Sequence, residues 1–122
     1  MVEKIDFHTV FSGLKQILGP YANNLVIKND EIDEFYLDTN FTMKNKKPMY
    51  FGSVKINKKY VSFHLMPVYI FPGLLKNISP QLKRRMQGKS CFNFTSVDPA
   101  LFQELNDLTR QGYNRYGEEG YL

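Results

Sequence analysis

The chain has one cysteine, Cys91, and no tryptophan. A single cysteine excludes an intrachain disulfide and a zinc site made of several cysteines. Without tryptophan, the aromatic part of the core must come from ten phenylalanines and eight tyrosines. No run of about 18 apolar residues occurs, so no membrane-spanning helix is expected. The N-terminus shows neither a basic leader nor a continuous apolar stretch, so a secretory signal is not expected and the protein reads as cytoplasmic. The sequons at Asn40, Asn77 and Asn93 are then chance matches. Acidic residues are missing from one long stretch: residues 44–89 hold eleven Lys or Arg and no Asp or Glu, a net of +11, whereas the flanks carry −4 and −3. The total of +4 therefore hides a strongly basic middle third.

What is present fits one α+β domain spanning residues 1–122, long enough to bury a core without covalent staples. Pro48 to Pro67 reads as two strands joined by a tight turn. Side chains on a strand alternate between faces. Tyr50, Gly52, Val54 and Ile56 therefore share one face of the first strand, and Val61, Phe63 and Leu65 one face of the second. These sets must meet, which requires an even loop, Asn57-Lys58 or Lys58-Lys59. Tolerance of positive φ by Asn57 favours the first. The opposite face then carries Phe51, Ser53, Lys55, Tyr60, Ser62, His64 and Met66, either wet or forming the floor of a pocket.

Elsewhere, Phe7, Val10, Phe11, Leu14, Ile17, Leu18 and Tyr21 recur at helical spacing behind an Asp6 cap, with Gly19-Pro20 as the stop. Short strands are expected at residues 25–28 and 34–40, around the acidic turn Asp30-Glu31-Ile32-Asp33-Glu34. An ordered loop at residues 68–75 is expected to lay Tyr69 and Phe71 over the sheet. Ser79-Pro80 opens a short helix that Gly88 ends. Ser90 to Thr95 is a strand with Phe92 and Phe94 on one side and Cys91 and Asn93 on the other. Asp98-Pro99 opens a last helix, with Leu101, Phe102, Leu105 and Leu108 as its buried stripe. Gly112 closes it, leaving a Gly- and Tyr-rich tail from Tyr113 to Leu122 whose end is expected to fray.

Three constellations carry chemistry. The basic residues Lys55, Lys58, Lys59, Lys83, Arg84, Arg85 and Lys89 suit an anion: a nucleic acid, a nucleotide or an acidic protein partner. Exposed tyrosines beside them would favour nucleic acid, because bases stack on aromatic rings. The carboxylates Asp30, Glu31, Asp33 and Glu34 are dense enough to attract a hard cation, although Ile32 stands where a calcium loop needs an oxygen ligand. Tyr50, Ser62, His64, Tyr69 and Cys91 are candidates for a small-ligand pocket, with His64 and Cys91 as a base and nucleophile if their strands are neighbours. Gly88-Lys89-Ser90 is not a phosphate loop, since Lys83 stands where the motif needs glycine and a strand follows it.

Met49-Tyr50-Phe51-Gly52, the run from Tyr60 to Tyr69, and the run from Leu82 to Phe94 resemble the YdhG-like domains of unknown function found in bacteria. The likeness covers residues 44–116. It implies an antiparallel, curved sheet of about five strands with an N-terminal and a C-terminal helix packed on it. It carries no catalytic residue. One branch of that family is described as a frataxin-like intracellular iron chaperone, which makes iron held by the acidic turn the alternative to anion binding. The expectation drawn from all this is a non-enzymatic binding module without a resident cofactor, monomeric or homodimeric, that does not enter a membrane.

Overall fold

A computed structural model describes residues 6–122. The leader region considered above begins outside the described residues. The first helix, α1 (Phe7–Leu18), starts where the Asp6 carboxylate accepts from the backbone N–H of His8 at 3.0 Å and from the Thr9 hydroxyl at 2.7 Å. The His8 and Thr9 backbone N–H groups, both bonded to this carboxylate, are among the donors that a helix start leaves unpaired. Val10, Phe11, Leu14, Ile17 and Leu18 form its buried stripe. At Gly19-Pro20 the chain tightens into a 3₁₀ turn, Gly19–Asn24.

Six strands follow: β1 (Val26–Asp30), β2 (Glu34–Thr42), β3 (Pro48–Ile56), β4 (Val61–Leu65), β5 (Met86–Gln87) and β6 (Cys91–Phe94). They form one open antiparallel sheet in the order β1-β2-β3-β4-β6-β5. The strand beyond the expected five is β5, two residues long; the short helix α3 (Pro80–Lys83) ends at Lys83 rather than at Gly88, because Met86 and Gln87 pair with β6. Ser79 caps α3 through its hydroxyl, with Pro80 in the first turn as expected. The Glu104 carboxylate accepts both the N–H and the hydroxyl of Ser79 at 2.6 Å, which ties α3 to the last helix, α4 (Pro99–Glu118).

In the β3–β4 hairpin Gly52, Val54 and Ile56 lie opposite Leu65, Phe63 and Val61, so the two apolar sets meet. The turn is centred on Lys58-Lys59 and closed by the Asn57 N–H donating to the Tyr60 carbonyl at 2.8 Å. The preference for Asn57-Lys58 is corrected. Asn57 does not adopt positive φ, and its side chain instead donates to the Ser62 hydroxyl at 2.8 Å.

Facing β2, the register slips by one residue. Leu37 pairs with Gly52, but Asp38 pairs with Tyr50, which leaves Phe51 without a partner. Such a bulge reverses side-chain parity beyond it. Phe51 is therefore fully buried against Tyr21, Tyr113 and Tyr116, at 5.8–5.9 Å between ring centroids, while Tyr50 turns to the face of Ser53 and His64. The simple alternation had placed these two residues the other way round. Gly52 serves the same junction: a Cβ there would lie 2.9 Å from the His64 carbonyl oxygen and 3.3 Å from Leu18 on α1.

Three further expectations change. Residues 66–75 form a short helix, α2 (Met66–Ile70), and a 3₁₀ turn, Pro72–Leu75, rather than a loop over the sheet. Phe71 packs near Tyr116, and Tyr69 is 53% exposed. Gly112 does not close α4, which runs on to Glu118. The residues past Gly112 are anchored rather than frayed. Tyr116 is fully buried, its hydroxyl donates to the Tyr50 carbonyl at 2.9 Å, and its own carbonyl accepts from the Tyr121 N–H at 2.9 Å.

The core lies between the sheet face bearing Phe35, Leu37, Phe51, Val54, Phe63 and Phe92 and the helices α1 and α4. Among the described residues no helix is long and apolar enough to cross a membrane.

Gly112 and Gly117 give a paired test of this packing. Alanine is favoured over glycine inside helices by about 1 kcal/mol. At Gly112, however, a Cβ would meet the Pro67 Cβ at 2.8 Å. Gly112→Ala should lower stability by about 1–3 kcal/mol, whereas Gly117→Ala, whose Cβ would meet Leu122 at an ordinary 3.5 Å, should raise it by a few tenths. Urea denaturation at constant m-value measures both. Tyr116→Phe should cost about 0.5–1.5 kcal/mol through loss of its hydrogen bond to Tyr50.

Candidate functional site

With α1 and α4 on one face, the other face of the sheet is polar. Directly opposed residues project to the same side, so the pairings lay out this surface in rows. Glu34, Lys55, Ser62 and Asn93 form one row across β2, β3, β4 and β6. Tyr36, Ser53, His64, Cys91 and Gln87 form the next, from β2 to β5. Asp38 and Tyr50, paired at the bulge, begin a third.

These side chains are tied together. The Tyr36 and Tyr50 rings stack at 4.6 Å, and Tyr50 meets His64 edge-on at 5.2 Å. The Tyr50 and Ser53 hydroxyls are hydrogen-bonded, and His64 Nε2 is 2.5 Å from the Ser90 Oγ. Ser62 donates to the Asn93 Oδ1 at 3.2 Å, and Asn93 donates to Gln87 at 2.7 Å. Four of the pocket candidates, Tyr50, Ser62, His64 and Cys91, thus share one face. Tyr69 stands on α2, just past the end of β4, with the Lys89 ammonium 6.0 Å from its ring centroid.

Burial sets the protonation of this face. It raises Tyr36, Tyr50, Asp38 and the Cys91 thiol and lowers His64, so each is pushed toward its neutral form. Lys28 and Ser62 oppose the shifts of Asp38 and Cys91, respectively. His64 and Cys91 are cross-strand partners, but the His64 hydrogen bond goes to Ser90. A thiol held protonated is a poor nucleophile. Ser90 is only 7% exposed, and among the described residues no carboxylate hydrogen-bonds the His64 ring to orient it.

The predicted cations divide. Lys55 is exposed on the polar face, and Lys89 lies beside Tyr69. Lys58 and Lys59 form the β3–β4 turn. Lys83 ends α3, while Arg84 and Arg85 line a crevice of about 280 Å³ with Gln81, Asp98 and Leu101. Among the described residues none of the seven forms an ion pair; the pairs present are Lys15–Asp30, Arg110–Asp107 and Arg115–Glu119.

The acidic turn is otherwise engaged. Asp30 pairs with Lys15 at 2.7 Å, and Glu34 accepts from Asn29 at 3.0 Å. Among the described residues no three His, Cys, Asp or Glu side chains gather as a metal would need, so Asp30, Glu31, Asp33 and Glu34 do not converge on a metal centre.

The sequence reading missed Lys28, Tyr36, Ser53 as a partner of Tyr50, Asp38 and Ser90. Lys28 lies 5.1 Å from the Tyr36 ring centroid. Asp38 is 5% exposed. Alternation along β2, with Phe35 and Leu37 inward, could have placed Tyr36 and Asp38 on the polar side. Nothing in the sequence announced the bulge that brings Tyr50 to them.

Because burial holds the His64 value below its ordinary 6.5, the unfolded chain takes up the proton first as pH falls. The stability tied to neutral His64 is complete well above that value. It declines as pH drops through about 6.5 and levels off once the folded imidazole also protonates. The His64-dependent part of stability should therefore decrease from pH 8 to 5.5, so the difference in urea midpoint between wild type and His64→Gln should shift against wild type over that range.

Comparison of the chain with family models, with curated proteins and with solved structures finds no match.

Proposed function

We propose that the protein is a non-catalytic binding module whose polar sheet face takes single-stranded nucleic acid. The observation that carries this reading is that ammonium groups without an ion pair stand beside tyrosine rings: Lys28 over Tyr36 on the polar face, and Lys89 beside the exposed Tyr69 just past the end of β4, with Lys55 exposed one row from Tyr36 and opposite Glu34. A strand of nucleotides presents both features in alternation, charge on its phosphates and flat π-faces on its bases. An acidic protein partner would use the cations and leave the rings idle. The neutral state of Cys91 and the lack of an oriented base at His64 weigh against the enzymatic alternative. The dispersed acidic turn weighs against iron carriage. The kinship with YdhG-like domains is likewise proposed on its motifs, and the antiparallel sheet with terminal helices is consistent with it.

Fluorescence anisotropy with a labelled 12-nucleotide thymine strand tests this. Contact between three cations and phosphates on a single strand predicts a roughly 20-fold loss of affinity between 50 and 200 mM salt. Tyr69→Ala should weaken binding by about fivefold or more, the usual worth of a lost base stack, and Lys55→Ala should flatten the salt dependence. Affinity that ignores salt, or that survives both substitutions unchanged, refutes the reading.

A further inference from the structure

The proposed strand-binding reading leaves one group on the polar face unexplained, and the inference that follows rests on that reading. Asp38 is 5% exposed, yet among the described residues its carboxylate accepts no hydrogen bond. Lys28 acts on it electrostatically, but the two form no ion pair. Among the described residues no fully enclosed side-chain oxygen lacks a partner, so the Asp38 oxygens are the part of the residue that still meets solvent. The carboxylate therefore turns its free lone pairs toward solvent, where a donor arriving from outside can reach them.

Its neighbours define what that donor is attached to. Asp38 and Tyr36 are two residues apart on one strand, so their Cα atoms lie about 6.6 Å apart on the same face. Tyr36 is backed by Tyr50 at 4.6 Å, which leaves its outer face to Lys28, at 5.1 Å. Lys28 is exposed and on a flexible stem. A planar ring can take its place over Tyr36 and leave the ammonium free to meet a phosphate. A flat ring lying on Tyr36 would have Asp38, two residues along the same strand, as a neighbour.

We propose that Asp38 reads the paired N–H donors of a guanine base stacked on Tyr36. Guanine presents N1–H and the N2 amino group side by side, which matches the two oxygens of a carboxylate. Adenine and the pyrimidines do not offer that pair on one edge. A guanidinium group has the same fork, but it would bring positive charge beside Lys28, whose ammonium already lies 5.1 Å from the Tyr36 ring centroid.

The test uses the full chain and three labelled thymine 12-mers whose central residue is guanine, hypoxanthine or adenine. Hypoxanthine lacks only the 2-amino group. The proposal expects the guanine strand to bind about tenfold more tightly than either of the others, as for one bidentate contact. Asp38→Asn should bring the guanine strand down to the hypoxanthine level. The wild-type comparison among strands needs no variant to fold. Equal affinity for the three strands overturns the guanine inference and leaves strand binding standing, whereas no binding to any strand overturns both. Guanosine monophosphate competing as well as the guanine strand, per base, would identify a free nucleotide as the source of the base. Competition only by the strand would identify nucleic acid. Displacement of the strand by arginine amide in wild type but not in Asp38→Asn would overturn guanine in favour of a guanidinium.

Discussion

One unpaired residue in β3 decides what each side of the sheet is for. At the bulge, Phe51 leaves the ladder and enters the aromatic cluster beneath α4. The same slip turns Tyr50 outward, where it stacks on Tyr36 and meets His64. Without the extra residue, strict alternation would place a tyrosine hydroxyl in the core and a phenylalanine on the polar face. The junction is held from the core side as well. Tyr116 donates to the Tyr50 carbonyl, and Gly52 lets α1 approach closely enough for Leu18 to pack there. Core and site are thus two outcomes of one local irregularity, and a change at either Tyr116 or Gly52 reaches both.

Much of the architecture was readable from pattern. The 3.6 period of α1, the Asp6, Ser79 and Asp98 caps, and the alternation of Phe92 and Phe94 against Cys91 and Asn93 all agree with the structure. Each is a local signal, set by neighbours a few residues away. What went unread depends on contacts distant in sequence. Gly112 looks like a helix terminator on propensity alone; its role is to admit Pro67, and the helix continues because Tyr116 has a buried place waiting for it. Asn57 looks like a turn residue, but Ser62 offers its amide a better use. Phe51 and Tyr50 cannot be sorted by parity when an unseen bulge resets it.

The same division holds for the site. Charge counts pointed to the middle third of the chain, and one of its cations, Lys55, does lie on the polar face. Counts could not show that Lys83, Arg84 and Arg85 would sit at the β5 edge, two of them sharing a crevice with Asp98. They also could not recruit Lys28, which comes from the acidic first third and reaches the face only because β1 pairs with β2. Asp38 escaped notice for a related reason: a lone acid on a predicted strand signals nothing until its enclosure and its lack of a partner are both visible.

The two borders of the sheet are unlike. On one side β5 is two residues long, too short to template another chain. On the other, β1 offers five residues with Val26 and Ile27 at 43% and 48% exposure, interrupted by a register shift at Lys28. A filament grown by strand addition needs an acceptor at each end of every subunit. Among the described residues only β1 is long enough to offer one, so strand addition at that border joins a pair of copies back to back through β1 and leaves no second border of equal length for a fibre.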